Sequence, residues 1–212
     1  MRRVINNWHN VSLVLAIVTA LIAVAVDDIV QKILLASIAV LLLHFFEEFG
    51  FPGGFPWMGV KVLLNSRETD STKWSCNNLN SMFGNWGFLI LVYALPLILS
   101  DVRFLLLAAM IFSLMELVMH LILFNVKRKT IYNPGMFTGV FLLAPISIYY
   151  FTNVYDGSLF VWSDFVAAVA WCVAVFWFAF RSPLYWWLGR LKGYKLTAQS
   201  AYGVAYARTH NP

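Results

Sequence analysis

Charge is scarce in this sequence. Lysine, arginine, aspartate and glutamate together make up 12% of its 212 residues, against about 25% in an ordinary soluble domain. With 61% hydrophobic residues and a mean hydropathy of +0.74, the deficit excludes a soluble globule. Cysteine is scarcer still. Cys76 and Cys172 stand far apart with no CxxC partner, which argues against a zinc knuckle or a redox pair. The apolar runs lack the paired Gly/Pro interruptions of many secondary transporters. No internal repeat or low-complexity tract is visible, so a solenoid has no support.

What the chain does have is long apolar runs. Six reach the roughly 17–25 residues needed to cross a bilayer: about 10–26, 29–49, 79–99, 104–126, 136–152 and 159–180. The expected fold is all-α, a polytopic transmembrane helical bundle over residues 1–189 followed by a polar cytoplasmic tail over 190–212. The first run follows Arg2 and Arg3 and could pass for a signal peptide. It is long for a signal core, and Trp8-His9-Asn10 separates it from the arginines, so an uncleaved first span is expected. Of the 15 lysines and arginines, this arrangement puts Lys32 and Arg103 on one side and all others, Arg208 included, on the side of both termini. The positive-inside rule then makes that side the cytoplasm. The net charge of +5 reads as a topological signal, and nucleic-acid binding is not expected.

Against this background the polar groups inside the runs stand out. The second run contains His44, Glu47 and Glu48, and the fourth contains Glu116 and His120. Ionisable groups at membrane depth are costly and mark function by default. A helix turns about 100° per residue, so Glu47 lies at about −60° and Glu48 at about +40° from His44, within one arc. Glu116 and His120, four apart, share a face. Both runs descend from the outer side. The first trio lies roughly 22–29 Å along its helix and the pair roughly 18–24 Å along the other, so their depths overlap.

Five donors at one depth either pair as a buried polar network or, with no lysine or arginine beside them in the spans, hold a cation. Imidazole with carboxylate suits zinc first, then iron or manganese, as one ion with a base or as two bridged ions. The first-choice ligands are His44, Glu47 and His120, with Glu48 or Glu116 bridging or acting as general base. Tyr132 is a candidate donor to a developing oxyanion, or simply an interfacial tyrosine. Asn77, Asn80 and Asn85 begin the third run at the same level. They could support ligands, hold substrate, or cap a helix. The Gly/Pro/aromatic segment 49–59 reads as a loop on the headgroups or as an entry lip for an amphiphile. The basic run Lys127-Arg128-Lys129 anchors topology or attracts an anionic headgroup.

These residues resemble a family of bacterial integral membrane proteins named for a His-x-x-Glu-Glu motif, with the signatures HxxEE, NxxxH and YxPG in order. Here they are His44-Phe45-Phe46-Glu47-Glu48, then Glu116-Leu117-Val118-Met119-His120 with Glu in place of Asn, then Tyr132-Asn133-Pro134-Gly135. The resemblance spans about residues 40–140. It implies a membrane metal-dependent hydrolase in a bacterial inner membrane, within a family whose general function is not established. The expected activity is therefore metal-dependent hydrolysis of a lipid-like or amphiphilic substrate at the cytoplasmic side. Alternatives are a di-iron oxidoreductase of the hydroxylase or desaturase type, although only four histidines are present, and a non-enzymatic metal or proton carrier.

Overall fold

In a computed structural model, described over residues 1–204, the chain is helical throughout its ordered elements. Six helices are long and apolar enough to cross a membrane: Trp8–Ala25, Ile29–Phe49, Asn78–Ile98, Arg103–Arg128, Met136–Val154 and Trp162–Gly189. Five of them match a predicted apolar run to within two residues at each end; the sixth starts three residues later than expected and runs on to Gly189 where the run was expected to end at 180. Residues 205–212 of the expected tail, with Arg208, lie outside the described residues.

Local chemistry sets the ends of these spans. Asp28 caps the second by accepting from the Gln31 amide at 2.7 Å, which permits the short turn from the first span. Asn77 and Asn80 form a reciprocal capping box at the start of the third. The sixth span is continuous to Arg181. At Ser182 it breaks, the serine side chain accepts from the Tyr185 amide, and Pro183 opens a last helical stretch to Gly189.

The second span is the most enclosed of the six, whereas the first and sixth are the least. Val166, Val169, Val173 and Trp177 lie exposed along one face of the sixth span. The three- and four-residue spacing is that of a helix stripe, and such an apolar stripe suits lipid. Inside, Leu107, Ala108, Ala109, Met110 and Leu143 are closed off completely.

The chain runs up and down, so its N-terminal turn and the segment after the sixth span meet at one end. The Asn6 amide donates to the Gly193 carbonyl and the Asn78 amide to the Tyr194 carbonyl. The segment expected as a loop is partly helical. Phe55–Val62 forms a short helix after Gly53-Gly54, and Ser200 O accepts from Gly54 N. This helix roofs the cavity described below.

Three spans contain wide π-helical turns, at Leu89–Ala94, Met119–Phe124, Gly139–Leu143 and Tyr150–Val154. Each holds one residue more per turn than an α-helix and shifts the face that follows, a feature common near functional sites. Two of them adjoin the polar cluster, one carrying His120 and the other starting just after Thr138.

Candidate metal centre

The second and fourth spans bring four donor groups together. Nε2 of His44 lies 3.3 Å from Glu48 Oε1 and 3.9 Å from Glu116 Oε2. Nε2 of His120 lies 3.7 Å from the same Glu48 oxygen and 3.2 Å from the same Glu116 oxygen. The imidazole rings stand perpendicular with centroids 5.0 Å apart. His44 and Glu48 are 3% exposed and His120 is 1% exposed, so water does little to screen them. His44, Glu48 and His120 form a group that could hold a metal ion.

Hydrogen bonds on the far side of each ring fix its tautomer. Thr138 Oγ1 donates its single proton to Glu47 Oε2 at 2.6 Å. It must therefore accept from His44 Nδ1 at 2.9 Å. Asn133 Nδ2 donates to the His120 carbonyl and to Asn125 Oδ1, both at 2.7 Å. That orients its oxygen to accept from His120 Nδ1 at 2.6 Å. With each Nδ1 as donor, a neutral ring turns its Nε2 lone pair to the carboxylates and a protonated ring turns an N–H to them. Among the described residues neither Glu48 nor Glu116 pairs with a lysine or arginine, so the carboxylates call for a cation, either a metal ion or the imidazolium itself. Histidines whose outer nitrogen donates to an oxygen are the usual arrangement around a bound metal.

Glu47 departs from its expected role as a first-choice ligand. Its carboxylate accepts from Tyr132 Oη at 2.8 Å, from the amides of Phe137 at 3.1 Å and Thr138 at 2.9 Å, and from Thr138 Oγ1. It serves as an anionic cap on the first turn of the fifth span, where free amides favour negative charge. The physical reason is rotational. Glu47 and Glu48 flank His44 on opposite sides, so only one can turn to the fourth span while the other faces the fifth. Glu48 is the one that joins the His44–His120 group.

Tyr132 likewise has its proton engaged on Glu47. Burial and the neighbouring carboxylate push its phenol above the usual tyrosine range. It does not line the cavity, so the oxyanion role has no support in this geometry. Asn77 and Asn80 are also corrected. Asn77 Nδ2 reaches the carbonyls of Leu188, Gly189 and Leu191, and Asn80 Nδ2 those of Ser75 and Tyr185. They tie the third span to the end of the sixth and do not reach the ligand group. Asn85 does line the cavity, with its amide donating to Ser81 O.

Sequence reasoning missed Asn133 and Thr138. Asn133 is the unspecified position of YxPG and Thr138 a single polar residue near the start of a span. The available signal was that two buried histidines need two outer acceptors. Gly135 also has a physical role. Its φ is +93°, and an added Cβ would collide with His120 Cε1 and lie 2.7 Å from His44 Cε1. Only glycine lets this backbone pass against both rings.

The donor group opens on a cavity of ≈ 150 Å³ under the Phe55–Val62 helix. Its wall is mainly aromatic and aliphatic, including Phe45, Phe88, Phe112, Phe176 and Phe180. Phe55 is 6.2 Å from the His120 ring centroid. A second hollow shares Val60, Leu64, Cys76, Arg181 and Tyr185 with the first. The arrangement can polarise a substrate held in an apolar cleft.

No curated protein and no solved structure matches the chain. A family model described as "Protein of unknown function with HXXEE motif" matches residues 34–150, more than half of the chain and all of His44, Glu47, Glu48, Glu116, His120, Asn133 and Thr138. By that match, this membrane protein belongs to the HXXEE-motif family of unknown function.

Proposed function

We propose that the chain is a membrane-embedded, metal-dependent hydrolase acting on a lipid-like or amphiphilic substrate at the cytoplasmic side of a bacterial inner membrane. The observation that carries this reading is the meeting of two imidazole Nε2 atoms and two carboxylate oxygens at 3.2–3.9 Å. The donor atoms of His44, Glu48 and His120 lie within 4.8 Å of one another, close enough for one divalent ion with ligand distances of about 2.0–2.2 Å to be shared among them. Zinc is the first choice, with iron and manganese the alternatives for this donor set.

His44, His120 and Glu48 are the proposed ligands. They would hold a divalent ion, whose chemistry there would be Lewis acidity toward a carbonyl or phosphoryl oxygen and toward water. Glu116, at hydrogen-bonding distance from His120, is the proposed base: it takes the proton of the attacking water and returns it to the leaving group. Thr138 and Asn133 hold the two rings in the tautomer that this requires. The aromatic wall excludes bulk water from the reacting bond.

Glu47 being committed to its cap also favours one ion over two. The bundle-type di-iron site draws on four carboxylates and two histidines, whereas this site presents two of each. That weighs against the oxidoreductase reading. Elemental analysis of protein purified in mild detergent tests the proposal directly. One zinc per chain, lost in Glu48→Gln and His120→Ala, is expected. Two irons per chain would move the assignment to oxidation, and a metal-free protein that takes up none would reduce the group to a buried polar network.

A further inference from the structure

Among the described lysines and arginines, Arg181 is the one that lines the cavity beside the His/Glu group. Lys73 lies 3.8 Å from both Glu68 and Asp70, and Arg128 stacks 3.9 Å above the Trp57 ring. At the opposite end Arg103 pairs with Asp164 at 3.5 Å. Arg181 lines the cavity on which the donor group opens. Among the described residues no carboxylate comes within ion-pair distance of it, and its guanidinium donates no hydrogen bond. Its backbone carbonyl accepts from Trp186 Nε1. A guanidinium presents several fixed donors matched to carboxylate or phosphate oxygens. In a mainly apolar cleft those donors call for an anion.

Its position relative to the ligand group adds polarity. Arg181 also lines the second hollow, together with Lys73 and Glu68, and none of His44, Glu48, Glu116 or His120 reaches that hollow. The cation therefore stands on the side of the cleft away from the His/Glu group. An anionic group entering here is drawn to Arg181. The wall of Phe88, Phe176 and Phe180 suits a hydrocarbon chain.

We propose that the cleft binds an anionic single-chain amphiphile, with its carboxylate or phosphate on Arg181 and its chain against the phenylalanine wall. This names the substrate class of the hydrolase reading and rests on that reading only for what happens at the ligand group.

The test is equilibrium binding of fluorescent single-chain lipids to the full chain in nanodiscs of neutral lipid, at low and high salt. The probes are a long-chain fatty acid, a single-chain lipid phosphate, and the uncharged alcohol of equal length. Wild type should prefer both anions over the alcohol. Arg181→Gln should lower anion affinity by about tenfold or more, the size of a lost hydrogen bond to a charged group, and leave the alcohol unchanged. Arg181→Lys should retain part of the preference. Glu48→Gln should bind the anions at least as well as wild type even if it holds no metal, which separates a failure of the hydrolase reading from a failure of this one. Equal wild-type affinities for anion and alcohol overturn the proposal. So does competition by inorganic phosphate as strong as that by the lipid phosphate, because the chain would then contribute nothing. Should Arg181→Gln not fold, the wild-type preference and its loss at high salt decide the matter.

Discussion

At the residue scale, the group that matters most is one that touches no substrate. Thr138 links Glu47 to His44 by giving its proton to the first and accepting one from the second. Thr138→Val keeps the shape and removes both bonds. Outer partners of this kind change metal affinity by about 10–100-fold, so a chelator competition assay should show a loss in that range. The two adjacent glutamates should behave differently. Glu47→Gln places an amide NH2 among four donors, which costs on the order of 1–3 kcal/mol per unsatisfied buried group. It should lower the melting temperature and leave metal stoichiometry at saturation unchanged. Glu48→Gln should do the reverse, lowering stoichiometry with little loss of stability, because it removes one of two neighbouring buried carboxylates. Identical behaviour of the two would sink the assignment of Glu48 as ligand and Glu47 as cap. Glycines make a third comparison. Gly135→Ala meets both imidazoles and a positive φ, whereas a Cβ at Gly139 finds its nearest neighbours at 3.6–3.9 Å. Metal retention after gel filtration should be abolished by the first and kept by the second.

At the scale of elements, the six spans were legible because a long apolar run in a chain with so little charge has hardly any fate except to cross a bilayer. The pairing of the second and fourth spans was legible too, from matched depth. What could not be read was which side of His44 each glutamate would serve. That depends on where the fourth and fifth helices pack, and the angular arithmetic treats both flanks alike. Asn77 and Asn80 were ambiguous because a polar helix start and a polar site look the same until partners are seen. The wide turn at Met119–Phe124 was also hidden, since π-turns have no strong residue preference to read. It has a mechanical consequence. Ile122 faces outward, 53% exposed, and deleting it should return this stretch to a regular α-helix. Everything after it would rotate by about 100° relative to His120. Asn125 would then swing away from Asn133, and Arg128 from Trp57. Circular dichroism should show unchanged helix content, while metal affinity falls because the Asn133 oxygen loses its orientation. Unaltered affinity would mean that the extra residue serves only the lipid-facing side.

At the scale of the whole molecule, both described chain ends and the metal group lie at one end of the bundle. Reporter fusions should read as external after residues 27, 101 and 156 and as cytoplasmic after 66, 129 and 200. An external reading at 200 would overturn the orientation derived from the basic residues.

The Tyr132–Thr138 stretch reaches Glu47 through Tyr132, His120 through Asn133 and His44 through Thr138, while Gly135 lies against both rings. Loading the group and closing this connection between spans are therefore one thermodynamic event, since whatever binds only the closed form stabilises it in proportion to its occupancy. Backbone amides at 136–138 should exchange with solvent deuterium more slowly as metal is titrated in, although they lie at the start of a separate helix. A strap that is cut or lengthened should, by the same linkage, release the ion without any ligand having been changed.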